Sequence, residues 1–281
     1  MTAAPPPEVA LSAGEGLLLR LLDDLAAESA DLDDRVSALD AEGWRTPTPA
    51  EGWDVADTVA HLAATDADAL EALRDPGGFL ARLPAVAAEG QGYVERLVDQ
   101  ARAEDPDQLL ARWRDGRAAL AAALRTVAPG TRIPWFGPAM SPASFVSARV
   151  METWAHGQDV VDALGQDRTP TDRLRAVAEI GVRARAFSYA VHGREAPDVA
   201  VRVELRAPAG DTWGWGPPDA ADVVRGDALD FCLLVTQRRH RDDLALQVHG
   251  DAADDWLSLA QAFAGPPGGG RAPRGRDAGS G

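Results

Sequence analysis

Glu152 and His156 stand four residues apart in a segment, 141–164, that reads as a helix. A carboxylate and an imidazole therefore project from one face, about a turn apart. Such an E-x-x-x-H pair can offer one oxygen and one nitrogen to the same ion. Arg149 and Asp159 extend the stripe by three residues each way, while Phe145, Ala148, Val160 and Val161 beside it are apolar and require burial. Burying charges without partners costs roughly several kcal/mol each. A metal ion is one way to satisfy the stripe. A solvated face with an Arg149–Glu152 ion pair is another, and the spacing alone leaves both open.

One helix supplies only two ligands, whereas a catalytic divalent centre usually takes about three from the protein and keeps positions for water or substrate. His61, in the pattern Val59-Ala60-His61-Leu62, is the best-placed third donor. A lone histidine in an amphipathic helix also serves often as a satisfied core or boundary residue. His192, His240 and His249 fall outside the helices that would frame the site and are expected at the surface or in a second module.

Apolar periodicity and end signals predict helices over 14–39, 55–74, 90–103, 106–127, 141–164 and 171–191. Asp54 is the expected N-cap of the second, placing His61 in its second turn, and Ser141-Pro142 reads as N-cap and first residue of the fifth, which Gly165 closes. At Pro197 the texture changes: Val199, Val201, Val203 and Leu205 alternate with other residues in a strand period. Short strands over 211–216, 221–224 and 244–248, with helices over 227–237 and 252–263, complete an α+β module. The expected organisation is a helical bundle over 10–195, the α+β module over 196–265, and a disordered Gly-, Pro- and Arg-rich tail over 266–281.

Composition narrows the function. Lys+Arg is 28 against Asp+Glu 44, a formal net charge of −16 that repels nucleic acid and anionic membrane surfaces. Every basic side chain is an arginine; the absence of lysine excludes Schiff-base chemistry, pyridoxal-phosphate attachment and a P-loop. Cys232, the one cysteine, sits in an apolar run and is expected to be a buried small hydrophobe, so neither an internal disulfide nor a cysteine zinc site can form. The opening MTAAPPPEVALSAGEG lacks a basic stretch followed by an apolar one, and no apolar run reaches about 18 residues. A cytoplasmic protein acting on a small molecule, as a monomer or homodimer, is the expectation.

Two segments, GWDVADTVAHLA around His61 and METWAHGQDVVDALG around Glu152 and His156, resemble the DinB-like superfamily of mycothiol-dependent enzymes, which includes maleylpyruvate isomerase. The resemblance implies an up-down four-helix bundle in which His61, Glu152 and His156 bind a divalent metal. Zinc is the first expectation; nickel, iron, manganese and copper are alternatives. It assigns Asp159 to catalysis or to positioning a thiol cofactor such as mycothiol; Arg149, on the same stripe, is a further candidate for holding that cofactor. The segments RGDALDFCLLVTQRRH and GDAADDWLSLAQAFAGPPGGGR resemble the family's small C-terminal module, which is similar to sterol-carrier proteins. An arginine after that module's first helix helps form the isomerase active site, and Arg238 and Arg239 both match it. The resemblance covers roughly Leu17 to Gly270 and, with QRRH-RDD and AQAFAGPPG, suggests a metal-binding branch rather than a true isomerase. The implied reaction is attack of a metal-activated thiolate on a small, anionic electrophile, giving isomerisation or S-transfer. A thiol-independent metal-dependent hydrolase, lyase or cyclase, and a non-catalytic metal- or ligand-binding module, are the rival readings.

Overall fold

Four long helices frame the N-terminal part, each with apolar residues spaced to cover a common core. A computed structural model describes residues 13–90, 92–128 and 130–274. Helix α1 spans Ala13–Val36 and α2 spans Val55–Arg74. Two shorter helices follow, α3 (Pro76–Glu89) and α4 (Gly92–Ala101), and then come α5 (Pro106–Arg125) and α6 (Pro142–Ala163). α1 packs on α6, and α2 on both α5 and α6. Leu32, Val36, Val55, Val59, Leu62, Leu109, Trp113 and Val160 fill the space between them. The ring is closed between α1 and α5 by Asp33, whose carboxylate accepts from both Arg114 and Arg117. These guanidiniums, ahead of the opposing effect of burial, hold the Asp33 carboxyl below its ordinary range.

α7 (Leu174–Arg183) and α8 (Arg185–Val191) lead into a four-stranded sheet of order β2-β1-β3-β4. The strands are β1 (Val201–Arg206), β2 (Thr212–Trp215), β3 (Asp222–Asp227) and β4 (Gln247–His249). β1 pairs antiparallel with β2 and parallel with β3, and β3 pairs antiparallel with β4. Helices α9 (Ala228–Val235) and α10 (Asp251–Leu259) cover the sheet. One cluster joins this module to the bundle: Met151, Trp154 and Ala155 of α6 and Leu174, Val177 and Ala178 of α7 pack with Phe231, Cys232, Val235 and Trp256. Cys232 is fully buried, and desolvation pushes its thiol pKa well up, as for a packed hydrophobe.

At the α7–α9 contact the helices approach so closely that a Cβ on Gly181 would meet Val235 Cγ2 at 2.7 Å and Phe231 Cε1 at 3.2 Å. Gly181→Ala is therefore expected to destabilise the protein by about 1–3 kcal/mol, read as a lowered midpoint in chemical denaturation.

The structure departs from the sequence reading in two places. No helix is expected between residues 74 and 90, yet the run Asp75-Pro76-Gly77-Gly78 starts α3: the Asp75 carboxylate accepts from Gly78 N–H at 2.9 Å and Pro76 takes a first-turn position. The predicted helix over 171–191 is two helices, with the junction at Ala184. The chain is described through Arg274, with Arg271 and Arg274 facing the carboxylates of Asp159 and Asp162; residues 275–281, within the stretch expected to be disordered, lie outside the described part.

Candidate metal centre

Two helix starts set the site. Before α2, Asp54 and Asp57 form a reciprocal capping box: Asp57 N–H donates to Asp54 Oδ1 at 2.8 Å and Asp54 N–H to Asp57 Oδ2 at 3.2 Å. This fixes the entry of the helix carrying His61 and holds Trp53 just ahead of it. α6 begins at Ser141, whose hydroxyl accepts from Ser144 N–H, with Pro142 in the first turn. Packing of α2 on α6 then brings His61 against Glu152 and His156.

The Glu152 Oε2 atom lies 3.7 Å from His61 Nε2 and 3.5 Å from His156 Nε2. One donor atom from each residue lies within 4.8 Å of the other two, a set that no other group of three His, Cys, Asp or Glu forms among the described residues. The two carboxylate–imidazole distances exceed normal hydrogen-bond length. They match the separation of donors that share one ion at metal–ligand distances of about 2.0–2.2 Å. Two imidazoles and a carboxylate suit zinc and other first-row divalent ions. The donor set therefore fits a transition metal. Side-chain exposure is 13% for each histidine and 21% for Glu152, so the group is sunk but reachable. Trp53 lies over both rings, its centroid 5.2 Å from that of His61 and 6.0 Å from that of His156, nearly parallel to the latter.

Burial lowers the His61 pKa to about 4 and keeps its imidazole neutral, the form a metal requires. Burial acts the same way on His156, but the Asp159 and Glu152 carboxylates outweigh it and raise its pKa above the ordinary value. Burial also opposes ionisation of Glu152, yet the two histidines hold its carboxyl well below the usual range. A proton on His156 competes with a metal for the same ring. Apparent metal affinity is accordingly expected to fall by about tenfold per pH unit on acidification through the raised His156 pKa, with His61 adding its own loss only near pH 4. Metal titrations between about pH 5 and about pH 8 measure this slope; a flat profile would be inconsistent with His156 as a ligand.

The second ring nitrogen of His156, Nδ1, faces Asp159 Oδ2 at 3.6 Å. Asp159 is completely buried and held by two arginines, Arg238 Nη2 on Oδ2 at 2.8 Å and Arg271 Nη2 on Oδ1 at 2.5 Å. Burial disfavours its charge, but Arg238, His156 and Arg271 together hold its pKa down to about 2.

The uncharacterized protein Rv0036c of Mycobacterium tuberculosis strain H37Rv is 50% identical over 248 residues, 88% of this chain and 96% of that one. Protein MT0041 of strain CDC 1551 matches to the same extent. The family model described as mycothiol maleylpyruvate isomerase N-terminal domain matches residues 25–161, a span that contains His61, Glu152, His156 and Asp159. Crystal structures of the mycothiol-dependent maleylpyruvate isomerase and of a point mutant of it superpose with TM-score 0.56, at 17% and 16% identity, over 82% of this chain and 92% of theirs. The chain belongs to the mycothiol maleylpyruvate isomerase superfamily. A second model, described as wyosine base formation, matches residues 197–247, from just before β1 through the start of β4.

Within this superfamily fold the two candidate arginines separate. Arg238 reaches the centre: besides Asp159 it lies 3.5 Å from His156 Nδ1, and its Nε and Nη1 donate to the carbonyls of Ala155 and Thr236. Arg239 instead forms a two-pronged pair with Asp162, at 2.5 and 2.6 Å, one turn farther along α6. Arg149, expected beside the cofactor or paired with Glu152, pairs with Asp66 and not with Glu152. It is 2% exposed, and its Nε and Nη2 donate to Asp66 Oδ1 while Nη2 also reaches Thr65 Oγ1 at 3.0 Å. Thr65 in turn donates to the His61 carbonyl at 3.0 Å, so Arg149 braces the turn of α2 that carries His61.

Trp135 packs with Phe79, Phe136 and Phe145, and Trp154 lies in the core beneath Arg168, whereas Trp53 lines the centre. His192 pairs with the Ser188 carbonyl and His240 caps Asp242 N–H, both away from the triad. Sequence reasoning missed Asp66, Thr65 and Arg271. Asp66 carried a faint signal, an acidic residue within the apolar pattern of α2; Arg271, behind three glycines, carried none.

Proposed function

We propose that the protein is a metal-dependent enzyme in which His61, Glu152 and His156 hold one divalent ion, zinc first among the candidates, and a mycothiol-like thiol attacks a small anionic electrophile. Isomerisation and S-transfer are the two outcomes of that chemistry. The observation that carries the reading is the meeting of three donor atoms, from two helices, at separations fit for one ion. Membership of a superfamily named for a mycothiol-dependent isomerase supports the choice of thiol chemistry. In this reading the helical part, 10–195, holds the ion and the α+β module, 196–265, contributes Arg238.

A divalent ion in this position supplies a lowered pKa for a bound thiol or water and polarises a carbonyl. The chain's own groups do the rest. Asp159 Oδ2 faces His156 Nδ1 at 3.6 Å, and its charge favours the tautomer with the proton on that nitrogen, which leaves Nε2 as the donor. With a pKa near 2, Asp159 is too weak a base to take a thiol proton at neutral pH, so its role is orientation. Arg238 is fixed by two backbone carbonyls and Asp159 and still has N–H groups to offer, which suits a carboxylate on the substrate. Trp53 covers the two imidazoles and keeps water from that side.

The test incubates zinc-loaded protein with mycothiol, glutathione or N-acetylcysteine and a panel of unsaturated carboxylic acids. Loss of free thiol reports S-transfer, whereas a change in the acid without net thiol loss reports isomerisation. Activity should require the thiol and vanish in Glu152→Ala. Turnover that proceeds without any thiol would favour the hydrolase, lyase or cyclase reading, and tight binding with no turnover across the panel would favour the binding module.

A further inference from the structure

The last described stretch of chain runs back over the metal centre. After α10, the buried Gln261 side chain donates to the carbonyls of Phe263 and Gly265, at 3.0 and 3.1 Å, and also to that of Pro266, turning the chain sharply. Arg274 N–H then bonds both oxygens of Asp243 in the α+β module, at 2.9 and 2.8 Å. Between these anchors Arg271 reaches inward. Its Nη1 donates to the carbonyl of Pro49, in the loop that leads to Trp53, and its Nη2 donates to Asp159 Oδ1 at 2.5 Å. The Arg271 side chain keeps 21% exposure, while the carboxylate it meets has none.

We infer that Arg271 is a positioning residue of the metal centre, locking Asp159 against His156 and the Pro49–Trp53 loop over the two imidazoles from a C-terminal strap. The inference rests on the metal reading of the triad. Asp159 has two oxygens; Arg238 takes the one that faces His156 Nδ1, and Arg271 takes the other. A carboxylate held from one side only can rotate about its Cβ–Cγ bond, and the imidazole that depends on it loses its fixed orientation. Asp159 stands directly behind a ligand, where a partner tunes affinity and geometry without touching the ion, and Arg271 acts through it. The planar fork of arginine spans the two acceptors, Asp159 and Pro49, which the single ammonium of a lysine does not.

The test uses the full chain, stripped of metal and titrated with cobalt(II), whose visible absorption reports ligand geometry. Wild type, Arg271→Ala, Arg271→Gln, Arg271→Lys and Arg274→Ala are compared, with circular dichroism to establish folding. Arg271→Ala and Arg271→Gln should bind cobalt about tenfold more weakly, with shifted absorption bands. Arg271→Lys, which keeps the charge on Asp159, should recover part of that loss. Arg274→Ala, at the solvent-facing end of the strap, should match wild type. If Arg271→Ala does not fold, the glutamine and lysine variants decide. Wild-type affinity and spectrum in the glutamine variant, or an equal loss in Arg274→Ala, would overturn the inference while leaving the metal reading standing. A wild type that takes up no cobalt would overturn the metal reading and this inference together.

Discussion

Purified with zinc in the medium, the protein is expected to carry about one ion per chain, and His61→Ala and Glu152→Ala to carry essentially none. The expectation follows from the donor separations of 3.5 and 3.7 Å, too long for hydrogen bonds and right for a shared ion. With three protein donors, loss of one leaves two ligands and an open coordination sphere, so the affinity should fall by at least about a hundredfold. Elemental analysis of wild type and variants measures it directly. The same site predicts a stability effect, because an ion that binds only the folded state stabilises it by about 2.7 kcal/mol at a hundred times its dissociation constant. A chelator should therefore lower the wild-type Tm and leave that of Glu152→Ala unchanged. A wild type that remains metal-free after reconstitution, with a Tm indifferent to chelator, would remove the triad as a metal centre.

The second large effect concerns the pair beneath the site. Arg149→Ala is expected to destabilise the protein by about 3–5 kcal/mol, because it leaves the Asp66 carboxylate buried with its main partner gone. Burial already raises the Asp66 pKa despite Arg149, and without that guanidinium the acid must take up a proton or draw in water. Replacing both members by apolar residues, as in Asp66→Leu with Arg149→Met, should recover most of the loss. Urea denaturation of the two single variants and the double variant closes the cycle. A near-neutral Arg149→Ala would favour the cofactor-binding role for this residue and remove its part in bracing the His61 turn.

Much of this was legible along the chain because the relevant physics is local. The i, i+4 relation of Glu152 and His156 is set by the helix, and that helix is announced by Ser141-Pro142 and an apolar pattern. The Asp54 cap fixes the second-turn position of His61 in the same way. Local signals also misled: no helix is expected between residues 74 and 90, yet Asp75 and Pro76 are an N-cap and a first-turn proline, and the amphipathic stretch behind them completes α3. The alternation from Val199 onward pointed to a strand, but the parallel pairing of β1 with β3, skipping β2, depends on how the chain crosses the sheet.

Residue types and their spacing along α6 were enough to mark a place where a metal would fit, and the absence of lysine was enough to exclude chemistry that needs its amine. Whether the stripe would be satisfied by an ion or by its own arginine was a tertiary matter: Arg149 pairs with Asp66, 83 residues away, and leaves Glu152 to the histidines. The choice of Arg238 over Arg239 was likewise made by packing, since neighbours in sequence leave the end of α9 in different directions and meet different aspartates of α6. Arg271 is the extreme case. It meets Asp159 across 112 residues, and a pairing at that distance leaves no mark on local pattern or periodicity; only the fold brings the two charges together.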